Sequence, residues 1–202
     1  MFERYTESAR RTLFFARYES SRLGATGIGP EHLLLGLMRK PKDLLGRILA
    51  PLPLERIRSE IEGRSLFREK IPTSLEIPFT SDCKRALNAA AEEADRLLHP
   101  YIGPEHLLLA LLREEKSAAG ATLAANGLRL DDVRLQIVQA RHEHASTLAL
   151  SSRQASERID HIKNLVQLLG RTPPNTEQST DLIHDINDAL DALLRDDDVP
   201  SS

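Results

Sequence analysis

IGPEHLLLGLMR, residues 28–39, is followed 74 positions later by IGPEHLLLALLR, residues 102–113. The same offset aligns Tyr5-Thr6 with Phe79-Thr80 and continues through the apolar positions on either side. A fixed period of this length is typical of structural repeats, in which each unit buries its hydrophobic face against its neighbour. The sequence therefore predicts two equivalent units that pack on each other.

The first unit is predicted to contain four helices. Thr6 is a suitable N-cap for the first helix, and Gly24 is suitable as the left-handed residue that ends the same helix. Pro30 begins the second helix at the position where a proline loses no hydrogen bond. Further prolines separate the short helices. The four are expected at residues 6–23, 30–39, 43–49 and 54–61.

The second unit repeats this plan after a connector. Residues 63–78 have no sustained helical period and contain Pro72 and Pro78, so we assign them to the connector. Gly127 is placed to end the third helix of the second unit. The helices are expected at residues 80–98, 104–114, 117–125 and 131–145.

Beyond Ala145 the repeat ends, and two amphipathic segments flank a break at Pro173-Pro174. They predict a helical hairpin, which must bury its apolar stripe against the repeats or against a second copy of the chain. A homodimer through residues 156–194 is therefore one possibility. We divide the chain into residues 1–145, with repeats at about 1–63 and 76–145, and residues 146–202, the hairpin with an acidic, disordered tail.

Composition favours a soluble globular protein, because 41 % of the 202 residues are apolar and 28 % are charged. The N-terminus lacks a signal-peptide core and no run is long enough for a membrane span, so we expect a cytoplasmic protein without a membrane partner. The net charge of −3, with no recognition motif, argues against nucleic acid. The acidic C-terminal residues, DDDVPSS, resemble a natural terminus, but they do not exclude a longer chain.

A Thr-capped helix followed by Ile-Gly-Pro-Glu-His-Leu-Leu-Leu, twice over, resembles the Clp N-terminal repeat domain at the front of ClpA, ClpB and ClpC unfoldases. The resemblance covers Met1 to about Ala145. It implies an all-α fold of two four-helix repeats related by pseudo-two-fold symmetry, with the hairpin added. It also implies a non-enzymatic module that binds substrates or adaptors, with a Clp-type AAA+ unfoldase or its protease as partner and no cofactor.

The chain departs from the unfoldases in one respect. An ATPase module needs a P-loop of the form GxxxxGK[ST], and the sequence contains no Gly-Lys dipeptide. We therefore expect a stand-alone domain that is not an enzyme. Two alternatives remain open: a structural accessory that stabilises a Clp protease complex, and a homodimeric scaffold built through the hairpin.

The candidate ligand-binding residues are Glu31, Thr6, Glu105 and Thr80. In ClpC proteins of Gram-positive bacteria the matching residues form pockets for phosphoarginine, and the resemblance implies that Glu31 acts with Thr6 and Glu105 with Thr80. Carboxylates in the first turn of a helix and threonine caps also stabilise helices without any ligand. Structural capping alone, phosphoarginine binding and docking of another peptide are the three interpretations.

His32 and His106 follow these glutamates, which raises the question of a metal or catalytic site. Neighbouring residues on a helix point about 100° apart, and no HExxH or cysteine cluster accompanies them. We expect both histidines to form hydrogen bonds between helices. The sequence predicts no catalytic residue and no metal site.

Overall fold

A computed structural model describes residues 2–39, 41–64, 69–72, 75–174 and 176–195, except for the side chains of 194 and 195. Its chain contacts divide the protein into two compact units, residues 1–140 and 141–202, which are treated separately below. The helices are α1 (Glu7–Arg22), α2 (Pro30–Met38), α3 (Asp43–Leu49), α4 (Leu54–Arg64), α5 (Ser81–Arg96), α6 (Pro104–Arg113), α7 (Ala118–Ala125), α8 (Leu130–Leu169) and α9 (Glu177–Arg195).

The predicted all-α fold of two four-helix repeats with a C-terminal hairpin is confirmed. Helices α1 to α7 begin and end within three residues of their predicted bounds. Gly24 and Gly127 have φ values of 66° and 87°, as their predicted roles as helix stops require. The predicted connector falls partly outside the described residues, and its described parts at 69–72 and 75–78 form no helix.

Helix α8 differs from prediction, because it does not end near Ala145 but continues to Leu169. The predicted end coincided with the end of the repeat and with no helix breaker. Residues 130–169 contain neither proline nor glycine, so the backbone has no local reason to stop. The division at residue 145 stays a prediction, and the predicted tail, residues 196–202, lies outside the described part of the chain.

Helices α2 and α6 form the centre of the compact unit of residues 1–140. Every residue of α2 except Glu31 is buried, and the inward leucines of both helices have at most 1 % of their surface exposed. A helix that is apolar on all sides is stable only when other elements surround it. Each of the two contacts the other and also contacts helices of the opposite repeat. The fully buried leucines are Leu33, Leu34, Leu35, Leu37, Leu107, Leu108, Leu109 and Leu111.

The two repeats exchange backbone hydrogen bonds. The N–H of Thr6, just before α1, donates to the carbonyl of Ile102 at 3.0 Å, and the N–H of Ile102 donates to the carbonyl of Arg4 at 2.8 Å. Thus the start of repeat 1 is joined to the loop before α6 of repeat 2. The equivalent pair joins Thr80 N–H to Ile28 C=O, 3.0 Å, and Ile28 N–H to Pro78 C=O, 2.8 Å.

Each repeat also buries one carboxylate among arginines. Glu93, on α5, is fully buried and accepts hydrogen bonds from Arg134 on α8 at 2.7 Å and from Arg113 on α6 at 3.2 Å. Burial acts to raise the pKa of Glu93, but these guanidinium groups outweigh it and hold the pKa below 4.5. The counterpart in repeat 1, Glu19, is paired with Arg22, Arg39 and Arg58.

None of the helices in the described part of the chain combines the length and the apolar composition that a bilayer span requires.

Replacing Gly36 tests the close packing of α2 on α1. A Cβ at Gly36 would stand 2.6 Å from the carbonyl oxygen of Thr12 and 2.9 Å from the nitrogen of Ala16. Overpacking costs about 1 to 3 kcal/mol, and the gain of roughly 1 kcal/mol in helix propensity offsets part of this cost. We therefore expect Gly36→Ala to lower the unfolding free energy by up to about 2 kcal/mol in urea denaturation.

Gly63, in α4, is the matched control, because a Cβ there would meet nothing within 4 Å. Gly63→Ala should leave the stability unchanged or raise it by up to about 1 kcal/mol. Equal effects of the two substitutions would show that α1 and α2 are not packed this closely.

Candidate functional site

Two helix N-termini from different repeats open into one cleft. Glu105, at the second position of α6, and Thr6, the N-cap of α1, both line a cavity of ≈ 600 Å³. The backbone bond between Thr6 and Ile102 sets this arrangement. Thr6 Oγ1 accepts the N–H of Ala9 at 3.2 Å. The other N–H groups in the first turn of a helix have no partner within it and point out of its N-terminal end.

This shared cleft groups the residues differently from the expectation. The resemblance implied that Glu31 acts with Thr6 and Glu105 with Thr80. The structure brings Thr6 and Glu105 together instead. The cause is the exchanged backbone pairing, since the segment before α1 lies against the loop of the other repeat and not against its own.

Glu31 and Thr80 are the residues equivalent to Glu105 and Thr6 in the repeats. Thr80 donates its N–H to Ile28, and its methyl group would lie 2.9 Å from a Cβ on Gly27. The pKa of Cys83, in the first turn of α5, is raised to about 12 by burial and, secondly, by the negative charge of Glu31. Glu31 is thus close enough to the N-terminus of α5 to act on it electrostatically.

The Glu105 carboxylate folds back over the start of its own helix. Its oxygens occupy the space that a Cβ on Gly103 would need, so a side chain there would displace the flexible end of Glu105. Burial raises the pKa of Glu105, although a hydrogen bond from its own N–H acts in the opposite direction. About a quarter of the side chain remains exposed. Glu31 covers Gly29 in the same way.

An apolar wall completes the cleft beside Glu105 and was not predicted from the sequence. Phe14 has 65 % of its surface exposed, and Phe15 and Leu37 line the same cavity. The guanidinium of Arg39 stacks on Phe15 at 4.8 Å and on Tyr18 at 4.4 Å. Residues 42–45, which include the start of α3, line the same cavity, so the exposure of Phe14 in this cleft becomes visible only in the folded structure.

The histidines form hydrogen bonds within their own helix starts, which corrects the prediction of bonds between helices. Nδ1 of His32 accepts the N–H of Gly29, and Nδ1 of His106 accepts the N–H of Gly103, both at 2.9 Å. His106 therefore carries its proton on Nε2, which lies 2.8 Å from Nδ1 of His99. His106 thus has both ring nitrogens engaged.

His99, Glu105 and His106 are the one group of three potential metal ligands among the residues that the structure describes. The separation of 2.8 Å between the two histidine nitrogens is that of a hydrogen bond. One zinc ion bound to both at about 2.1 Å in tetrahedral geometry would need them roughly 3.4 Å apart. The geometry is that of a capped helix start with a hydrogen-bonded histidine pair.

The family model of the Clp repeat (R) N-terminal domain matches residues 4–126 and again residues 78–201. The chain belongs to the Clp repeat N-terminal domain family. As a Clp N-domain it resembles the ClpD N-terminal domain of Arabidopsis thaliana, whose crystal structure aligns with a TM-score of 0.56 at 26 % identity. That alignment covers 71 % of this chain and 97 % of the ClpD domain.

The relatives that this Clp N-domain matches are much longer proteins. It is 38 % identical over 141 residues to the negative regulator of genetic competence ClpC/MecB of Bacillus subtilis (strain 168). It is 33 % identical over 202 residues to a ClpA homolog of Guillardia theta, an ATP-binding subunit of an ATP-dependent Clp protease. The matches cover 69 % and 87 % of this chain but only 17 % and 24 % of those relatives.

The pair of His106 and His99 gives a measurable prediction. Burial, followed by the neighbouring His99, lowers the pKa of His106 from 6.5 to about 4. Because the folded value lies below the unfolded one, this histidine contributes stability above pH 6.5 that is lost as the pH falls toward 4. NMR titration of the His106 ring should therefore give a midpoint near 4.

In His99→Ala the His106 midpoint should rise but remain below 6.5, since burial is the larger cause. The exposed His142 is the control, and His142→Ala should leave the titration of His106 unchanged. A His106 midpoint at or above 6.5 in the wild-type protein would contradict the buried, neutral assignment.

Proposed function

We propose that this Clp N-domain is a non-enzymatic binding module that presents client or adaptor proteins to a Clp-type unfoldase. The observation that carries the proposal is the crossed site, in which Glu105 of one repeat lies beside the capped helix N-terminus of the other at Thr6. A carboxylate and a helix N-terminus in one cleft offer complementary charges to a ligand that carries both signs. The exposed Phe14 adds an apolar surface for the peptide around it.

Phosphoarginine has the required combination of charges on one side chain. The guanidinium end can form a bidentate pair with Glu105, and the phosphoryl end can accept hydrogen bonds from the start of α1. The pseudo-two-fold symmetry supports a second site made of Glu31 and Thr80. Both sites would recognise an arginine modified by phosphate in an unstructured client.

The longer relatives support an unfoldase as the partner, because the Guillardia theta protein is described as an ATP-binding subunit of a Clp protease. Recruitment predicts that the chain co-purifies with an unfoldase or with its clients in the presence of ATP. Absence from both would refute this part of the proposal. A structural accessory of the protease would instead bind the peptidase directly when no unfoldase is present.

The crossed sites can be tested by titrating free phosphoarginine into the isotope-labelled chain and following backbone amides by NMR. In the wild-type protein the amides at Thr6 and at Thr80 should both shift. Glu105→Gln should move the shifts at Thr6 to higher ligand concentration and spare those at Thr80, whereas Glu31→Gln should do the reverse. Hydrogen bonds to charged groups contribute about 1.5 to 3 kcal/mol, so each affected site should weaken by at least about tenfold.

Arginine and inorganic phosphate, added separately, are the control ligands and should bind much more weakly than phosphoarginine. If the wild-type protein shows no shifts with phosphoarginine, the glutamates act as helix caps and this ligand is excluded. If Glu105→Gln instead abolishes the shifts at Thr80, the two sites are not composed across the repeats.

A further inference from the structure

The Glu105 site, with Thr6, and the Glu31 site, with Thr80, share their charged groups but not their walls. Four apolar residues of repeat 1 line the cleft of the Glu105 site, and the residues 74 positions later in repeat 2 are smaller or polar. The four are Phe14, Phe15, Leu44 and Leu45, and their counterparts are Asn88, Ala89, Ala118 and Ala119. Asn88 borders a separate cavity beside Phe2, which does not include the Glu31 site. Repeat 2 therefore offers no aromatic side chain at the equivalent positions.

The two phenylalanines of the Glu105 site form an apolar surface that is supported from behind. Phe14 has 65 % of its surface exposed and contacts Phe15 edge to face, with ring centroids 5.8 Å apart. Arg39 lies over the ring of Phe15 and is paired with the buried carboxylate of Glu19 at 3.3 Å. The exposed ring of Phe14 thus packs on a partner that is itself held in place.

This apolar surface lies within reach of a peptide whose charged side chain is bound at the start of α1. Ser8, Thr12 and Phe15 line the cleft at spacings of four and three residues, so one face of α1 borders it. Phe14 follows Thr6 by eight residues, which is about 12 Å along the helix axis. One or two residues of an extended peptide span about 3.5 to 7 Å, and the long side chain of arginine covers the remainder. A close neighbour of the bound arginine therefore comes to lie on Phe14.

The cavity of the Glu105 site has room for such a neighbour and favours an apolar one. Its volume of ≈ 600 Å³ lies within the range of about 300 to 1,000 Å³ for sites that enclose drug-sized ligands. At the phenylalanine rings a polar neighbour would lose water without gaining a hydrogen bond, whereas an apolar neighbour buries surface. On the rim, Arg11 is paired with Glu7 at 2.8 Å, and Lys42 is followed by Asp43. Because these rim charges offset each other, the rings determine the selection.

We propose that Phe14 makes the Glu105 site selective for client segments with an apolar residue one or two positions from the phosphoarginine, whereas the Glu31 site recognises the charged side chain alone. The inference rests on the proposed function, since it takes phosphoarginine binding at both sites as given. Clients with apolar neighbours are therefore directed to the Glu105 site.

Two five-residue peptides with a central phosphoarginine test the proposal, one with alanine and the other with phenylalanine at all four flanking positions. Each is titrated into the isotope-labelled chain, and the amides of Thr6 and Thr80 report the Glu105 and Glu31 sites. At Thr6 the phenylalanine peptide should bind roughly tenfold more tightly, because its rings pack on Phe14. At Thr80 the affinities of the two peptides should agree within about twofold.

Phe14→Asn introduces the residue that repeat 2 has at this position, so the two peptides should then bind equally at Thr6. Leu135→Asn is the matched control, since Leu135 is 56 % exposed but is not among the residues that line the cleft. This variant should keep the preference of the wild-type protein. The amide spectrum of each variant without ligand checks that the fold is retained.

Equal affinities of the two peptides at Thr6 in the wild-type protein, together with binding of free phosphoarginine at both sites, would overturn the inference and leave the proposed function intact. A preference that survives in Phe14→Asn, or one of equal size at Thr80, would also overturn it, because another surface would then bind the apolar residues. If free phosphoarginine causes no shift at either site, the proposed function is refuted and the inference falls with it.

Discussion

The exchanged backbone hydrogen bonds between the repeats are the constraint on which the fold of residues 1–140 depends. Thr6 and Ile102 are 96 positions apart in the chain, yet their backbones are hydrogen-bonded at 3.0 Å, and Thr80 and Ile28 repeat the bond. Each bond fixes the N-terminus of one long helix against the loop that starts the opposite buried helix. Neither repeat can be completed without the other, so the cleft at Glu105 is a product of the tandem arrangement.

The buried carboxylates keep each repeat in register around that centre. Glu93 connects α5 to Arg113 on α6 and to Arg134 on α8, so one charged group holds three helices. Removing one member of a buried ion pair is costly because the remaining charge stays desolvated. The apolar residues of α2 and α6 contribute most of the large, fully buried side chains. The arginines that pair with Glu93 and Glu19 determine which helices lie next to each other. The stable core and the crossed sites therefore depend on separate interactions.

Local sequence signals predicted the helices of this protein well and their spatial relations less well. Gly24, Pro30 and Gly127 marked helix boundaries because their backbone preferences act locally. The pairing of Glu31 with Thr6 came from the family resemblance, and a resemblance shows which residues are equivalent and not which are adjacent, whereas the structure places Thr6 and Glu105 in one cavity. The length of α8 was underestimated because the end of a repeat was taken for the end of a helix. The family resemblance supplied the site residues, and the structure supplied their partners.

The claim that the repeats are joined crosswise can be tested most directly by NMR detection of scalar couplings across hydrogen bonds in the intact chain. The account predicts correlations from the Thr6 nitrogen to the Ile102 carbonyl carbon and from the Thr80 nitrogen to the Ile28 carbonyl carbon. Correlations from Thr6 to Ile28 and from Thr80 to Ile102 would contradict it, because each repeat would then close on itself.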